Sequence, residues 1–200
     1  LHYVRRGADL VRLDAVTYLW HELGTSCAHL VQTHELVRLA RDVLDAAAPH
    51  VALVTETNVP HADNVTYFGD GTDEAQMVYN FALPPLVLHA FVTGSAGTLS
   101  GWAAELSPPS ETTAFFNFLD SHDGIGLMGA RGILPPEEVS RLCERVSGVG
   151  GLVSMRTGEG GAAVPYELNV TWWSALNEGR CEEPLERQVD RFVASRAIAL

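Results

Sequence analysis

Two kinds of segment alternate along the first two-thirds of the chain: short apolar runs rich in β-branched residues, and longer stretches with helical apolar spacing. Residues 8 to 14 (ADLVRLD) and 51 to 56 (VALVTE) are of the first kind, as are 76 to 81 (QMVYNF) and 113 to 119 (TAFFNFL). Between the first two lies THELVRLARDVLDAAA, residues 33 to 48, in which Leu36, Leu39, Ala40, Val43, Leu44 and Ala47 recur at i, i+3, i+4, i+7. Thr33 is the expected N-cap, Glu35 suits the first turn, and Pro49 ends the helix. A helix of that length between two strands is a crossover, and a crossover joins parallel strands. The fold class predicted is therefore α/β. VALVTE is apolar almost throughout, as strands covered on both faces are.

The rhythm continues with a helix opened by Pro84-Pro85 and running through LVLHAFV, then a shorter one around LSGWAAEL. It breaks after residue 133. PPEEVSRLCERV predicts one more helix; a Gly-rich stretch follows, expected to be irregular apart from a short strand at YELNVTWW. Tyr166, Trp172 and Trp173 make this stretch an excursion from the core and not a linker, with the tryptophans expected either in its core or as a sugar platform. A last helix begins near Pro184. The first residue is Leu1 and the chain ends within a helical pattern, so a piece of a longer protein is expected.

Charge inside the first strand needs a reason. Arg12 and Asp14 fall on one strand face, and a charge in a core is costly unless paired. Asp14 ends the first strand, Glu56 ends the second, and Asp123 follows the fourth. In parallel α/β sheets and barrels the C-terminal strand ends line the ligand site. Three carboxylates meeting there repel one another, which serves stability poorly. It suits chemistry that needs one protonated and one ionised carboxyl group side by side. Arg12 would then keep Asp14 ionised and oriented.

LVRLDAV, LVTETNVPH and FLDSHD resemble three conserved regions of the α-amylase superfamily, glycoside hydrolase family thirteen. The resemblance implies a (β/α)8 TIM barrel, of which this chain would hold strands four to seven, with an irregular excursion after strand seven. It divides the chain into 1–132 as a partial catalytic barrel, 133–180 as the insertion, and 181–200 as a truncated barrel helix. By resemblance Asp14 is the nucleophile, Glu56 the general acid/base and Asp123 the transition-state stabiliser. His122 and Arg12 would bind substrate, and Tyr18 would lie on the acceptor side, or pack as a rim aromatic. GTSC at 24 to 27, YNFALPPLVLHAF, LDSHDGIGLMG and YELNVTWWSALN are similar to the sucrose phosphorylase branch, and QTHELVRL with TETNVPH to its glucosylglycerate-type members. An α-glucoside and inorganic phosphate are then the partners, giving α-glucose 1-phosphate by a retaining route, and no cofactor is implied. A hydrolase or transglucosidase of the same superfamily, and a non-catalytic glycosidase-like binding protein, are the alternatives. The region expected after barrel strand three is missing, so the isolated chain is expected to have little activity.

The remaining features exclude more than they assign. Net charge is −12 and all thirteen bases are Arg, which argues against nucleic-acid binding. No apolar run is long enough to span a membrane. Cys27, Cys143 and Cys181 are far apart and form no CxxC, so neither a disulfide framework nor a zinc site is expected, and a cytoplasmic home is. His29 and His34 have the wrong spacing for one helical face and are not a metal pair. His61 is expected at the surface, Arg131 and Arg156 are candidates to meet phosphate, and the acceptor patterns at Asn64 and Asn169 are read as chance.

Overall fold

The computed structural model describes residues 1–158, 161–179 and 182–200; Cys181 lies outside the described residues. Two compact units emerge, the first from 1–79 and 107–116, the second from 80–106 and 117–200.

The first unit is a parallel sheet with a helix. Its strands are β1 (Leu10–Leu13), β2 (Ala52–Thr55), β3 (Met77–Tyr79) and β4 (Ala114–Phe116), hydrogen-bonded in that order. All three pairings are parallel, as the crossover argument requires. Helix α1 (Val31–Ala47) links β1 to β2, and a single-turn helix α2 (His61–Asn64) precedes β3. Leu53 and Val54, neighbours in β2, are both buried, so β2 is covered on both faces. Val37 of α1 packs with Val16, Tyr67, Phe68 and Val78, and Leu44 packs with Val51 and Leu53. Thr33 does not cap α1, which starts earlier with Leu30 at the cap position. Its buried hydroxyl accepts from the Trp20 N–H at 3.3 Å, a long-range use that local spacing does not reveal.

β1 differs from the expected buried strand. Among the described residues it pairs with β2 alone, and Leu10 and Arg12 are exposed while Val11 and Leu13 are half-buried.

The second unit is helical with a small antiparallel sheet. Helices α3 (Leu83–Thr93) and α4 (Gly97–Glu105) come first, α3 with its prolines in the first turn, where their missing N–H groups cost nothing. Then follow β5 (Ile125–Gly126), α5 (Pro136–Gly148), β6 (Leu152–Thr157), β7 (Ala163–Asn169), α6 (Trp172–Asn177) and α7 (Leu185–Ala197). The Gly-rich stretch is thus more regular than expected: β6 and β7 form an antiparallel pair, and β5 joins on the far side of β7. YELNVTWW is not one strand. β7 ends at Asn169, and Thr171 caps α6 by accepting from the Ser174 N–H at 3.1 Å.

α3 is buried through most of its length, against Leu119, Ile125, Leu142, Leu168 and Trp172. His89 of α3 meets Glu138 of α5 at 2.9 Å. Trp172 is core: it is fully buried, and its Nε1–H donates to the Ser195 hydroxyl at 2.8 Å. Gly129 is a glycine for lack of room, since a Cβ there would lie 2.3 Å from the Phe81 carbonyl carbon. No described helix is long and apolar enough to cross a membrane.

Candidate active site

The register of β1 on β2 builds the first group. Leu13 pairs with Thr55, so the next residues, Asp14 and Glu56, emerge side by side from adjacent strand ends. The Glu56 N–H donates to the Leu13 carbonyl at 3.0 Å. Ala15 then turns the chain with φ +49°, and its N–H donates to Glu56 Oε2 at 3.0 Å. Arg12 reaches both carboxylates. Its Nη1 is 3.4 Å from Asp14 Oδ2, and its Nη2 is 3.5 Å from Glu56 Oε2. The guanidinium also lies over the Tyr79 ring, 5.5 Å from its centroid, and that ring stacks on Phe116 at 4.7 Å. Strand spacing alone offers Arg12 one partner, Asp14; the structure adds a second carboxylate and an aromatic support.

The two carboxylates differ in surroundings. The Glu56 side chain is 13% exposed and that of Asp14 is 72% exposed. Burial pushes the Glu56 carboxyl above the usual carboxylate range, and the neighbouring Asp14 pushes the same way. The Ala15 N–H and the Arg12 charge oppose them. A half-buried carboxyl with a raised pKa beside an open one is an arrangement in which a general acid can work next to a nucleophile.

The second unit carries His122 and Asp123. His122 Nε2 is 3.3 Å from Asp123 Oδ2, and both side chains are exposed. They occupy a tight turn closed by the Ser121–Gly124 bridge, in which the Asp123 N–H donates to the Ser121 hydroxyl at 3.2 Å. Asn169 Nδ2–H donates to the Asp123 carbonyl at 3.0 Å. Gly124 has φ +99°, and a Cβ there would lie 2.4 Å from the Leu168 carbonyl oxygen, so only glycine lets this turn lie against β7. The structure therefore brings Arg12, Asp14 and Glu56 together in one unit, and His122 with Asp123 in the other.

The lesser candidates sort as follows. Tyr18 ends a 3-10 turn, Val16–Tyr18, and is exposed. His61 is not a surface residue: it is half-buried, its ring stacks on Phe115 at 5.9 Å, and burial lowers its pKa. Arg156 lies over Tyr166, 5.6 Å from the ring centroid. Arg131 is among the residues around a cavity of about 650 Å³ lined by Leu127, Met128, Leu134 and Val139. Asn64 is fully buried, donating to the Tyr79 carbonyl at 2.7 Å, which makes its acceptor pattern inaccessible. Ala15 and Tyr79 were missed. The one signal for Tyr79 is an aromatic at the end of a neighbouring strand.

Comparison with known proteins completes the description. No family model matches the chain. It is 54% identical over 200 residues to a glucosylglycerate phosphorylase of Allomeiothermus silvanus, covering all of this chain and 36% of that protein. The chain is a homologue of glucosylglycerate and sucrose phosphorylases. Within these enzymes of the α-amylase superfamily, the Escherichia coli glucosylglycerate phosphorylase is 49% identical over the whole chain, which covers 35% of it. A sucrose phosphorylase of Agrobacterium vitis is 31% identical over 98% of the chain and 38% of its own length. The crystal structure of sucrose 6F-phosphate phosphorylase from Thermoanaerobacter thermosaccharolyticum superposes with a TM-score of 0.79 at 25% identity, over 98% of this chain and 37% of that one. The chain thus spans about a third of the length of these phosphorylases and shares their α/β fold with its parallel sheet.

Proposed function

We propose that the full-length protein carrying this chain is a retaining α-glucoside phosphorylase acting on glucosylglycerate. The 54% identity to a glucosylglycerate phosphorylase across the whole chain carries this reading, and the unequal carboxyl pair on one guanidinium supports it. Asp14 attacks the anomeric carbon. Glu56, held above the usual carboxylate range, passes its proton to the departing glycosidic oxygen, and glycerate leaves. Phosphate then attacks the glucosyl ester, Glu56 takes the phosphate proton, and Asp14 is released. Two inversions leave the anomeric configuration as it began, the product being α-glucose 1-phosphate. Arg12, 3.4 Å from Asp14 Oδ2, keeps that carboxylate aligned throughout.

Other roles rest on motif resemblance. Asp123 is assigned the transition-state stabiliser and His122 a sugar-hydroxyl contact, and Tyr18 faces the acceptor. In this reading residues 1–132 belong to the barrel, 133–180 to the insertion after its seventh strand, and 181–200 to a barrel helix. The free thiols of Cys27 and Cys143 are compatible with a reducing cytoplasm.

The test is phosphorolysis by the full-length protein. With glucosylglycerate and phosphate it is expected to release α-glucose 1-phosphate, with turnover on sucrose lower. Release of free glucose at a rate indifferent to phosphate makes it a hydrolase and overturns the proposal, as does an inverted product.

A further inference from the structure

Among the described residues, Ala15, Cys27 and His29 are the non-glycine residues with positive φ, at +49°, +53° and +55°. All three lie in the segment that leaves Asp14 and leads to α1. Left-handed non-glycine residues persist only where their surroundings over-determine them. One of them, Ala15, aims its N–H at Glu56 Oε2.

A buried layer behind the segment supplies the constraint. Tyr67 is fully buried, and its ring packs with Val16, the residue after Ala15. The Tyr67 hydroxyl meets His29 Nδ1 at 3.1 Å, and the His29 N–H donates to the Thr17 carbonyl at 3.4 Å. One phenol therefore holds the segment at both ends of its turn. Tyr67 is in turn fixed from α1. His34 stacks on its ring at 4.7 Å and 17°, and His34 Nδ1 is 2.8 Å from Glu74 Oε2. Glu74, 1% exposed, also pairs with Arg38 Nη2 at 2.8 Å, and its carbonyl accepts from Arg41 Nη1 at 3.0 Å.

We propose that Tyr67, braced through His34 and Glu74, is a positioning residue that keeps Ala15 left-handed and its N–H aimed at the Glu56 carboxylate. Tyr67 touches no reacting atom; it acts through the backbone of the residue after the nucleophile. This rests on Glu56 being the acid/base proposed above. The charged groups facing Glu56 are Arg12 and Asp14, and the titratable groups around the phenol are Tyr18, His29, His34, Asp63 and Glu74.

The test is the pH profile of the full-length enzyme. An N–H bond to a carboxylate favours its ionised form, so losing the bond raises the pH at which Glu56 gives up its proton. Tyr67→Phe keeps the ring and removes the hydroxyl. It is expected to move the alkaline limb of kcat/KM upward by about one pH unit, the size typical of one backbone donor, with kcat falling more than KM changes. Ala15→Gly in the Tyr67→Phe background is expected to restore the limb, because glycine adopts the left-handed region unaided. Should Tyr67→Phe fail to fold, His29→Asn tests the same tie, as Asn tolerates positive φ but is too short to keep the phenol contact. It too is expected to move the limb upward. Lower activity with an unmoved limb makes Tyr67 merely structural and overturns the inference. A wild-type enzyme that makes no glucose 1-phosphate overturns the functional reading instead. The positional claim is then decided by a crystal structure of Tyr67→Phe: Ala15 still left-handed and bonded to Glu56 refutes it, and Ala15 rotated away supports it.

Discussion

Replacing Arg12 with Met removes the charge shared by Asp14 and Glu56 and keeps an unbranched stem over the Tyr79 ring. Arg12 Nη2 is 3.5 Å from Glu56 Oε2, with side-chain exposures of 31% and 13%. At that separation two unit charges interact by about 1 kcal/mol in water and about 4–5 kcal/mol at an effective dielectric of 20. A guanidinium about one-third exposed belongs near the lower figure, so about 1–2 kcal/mol is lost, or about one pH unit in the titration of Glu56. The sign follows from the charge: Arg12 favours ionised Glu56, so its loss makes the acid persist to higher pH. The alkaline limb of kcat/KM for phosphorolysis is expected to rise by about one unit. Under the proposed function, turnover is expected to fall by about 10²–10³, as when one electrostatic contact to a reacting group is removed. The assay is glucose 1-phosphate formation by the full-length enzyme from pH 5 to 9. A limb that stays in place or moves to lower pH would show that Arg12 is not coupled to Glu56, and the argument for a shared guanidinium would fall with it.

Two further outcomes are expected. Glu56→Gln should melt above the wild type at neutral pH and level with it in acid. A carboxyl whose pKa is raised on folding contributes stability below its unfolded value and loses it as pH rises through the folded one; melting curves that separate in acid and merge at neutral pH refute this. Gly129→Ala should destabilise by about 3 kcal/mol or more, because its Cβ meets the backbone of Phe81 and Ala82, which cannot step aside. Denaturant unfolding with an unchanged midpoint would contradict it.

The sequence was most legible where structure is local. Alternating strands and helices gave the parallel arrangement of β1 to β4, and the prolines at the start of α3 and α5 marked those helices. Thr33 was misread because a threonine before an apolar periodic run looks like a cap, whereas this one serves the backbone of Trp20. The strand expected through Trp173 stopped at Asn169, since Thr171 caps a helix more effectively than it extends a strand. Within the site, Arg12 with Asp14 could be read from a two-residue spacing, but Arg12 with Glu56 could not. That contact depends on which residue of β2 faces Leu13. The Tyr67 layer was invisible for the same reason, its partners standing tens of positions away along the chain.

One cation bridging the ends of two neighbouring strands makes alignment and chemistry inseparable. A slip of β2 past β1 by a single residue turns every side chain to the opposite face. Glu56 would then point away from Arg12, leaving the guanidinium with one carboxylate and the half-buried acid with none of its counter-charge. Misaligned forms of this sheet are thus penalised by ions as well as by apolar packing, so the pair that would cleave the sugar also proofreads the pairing that creates it.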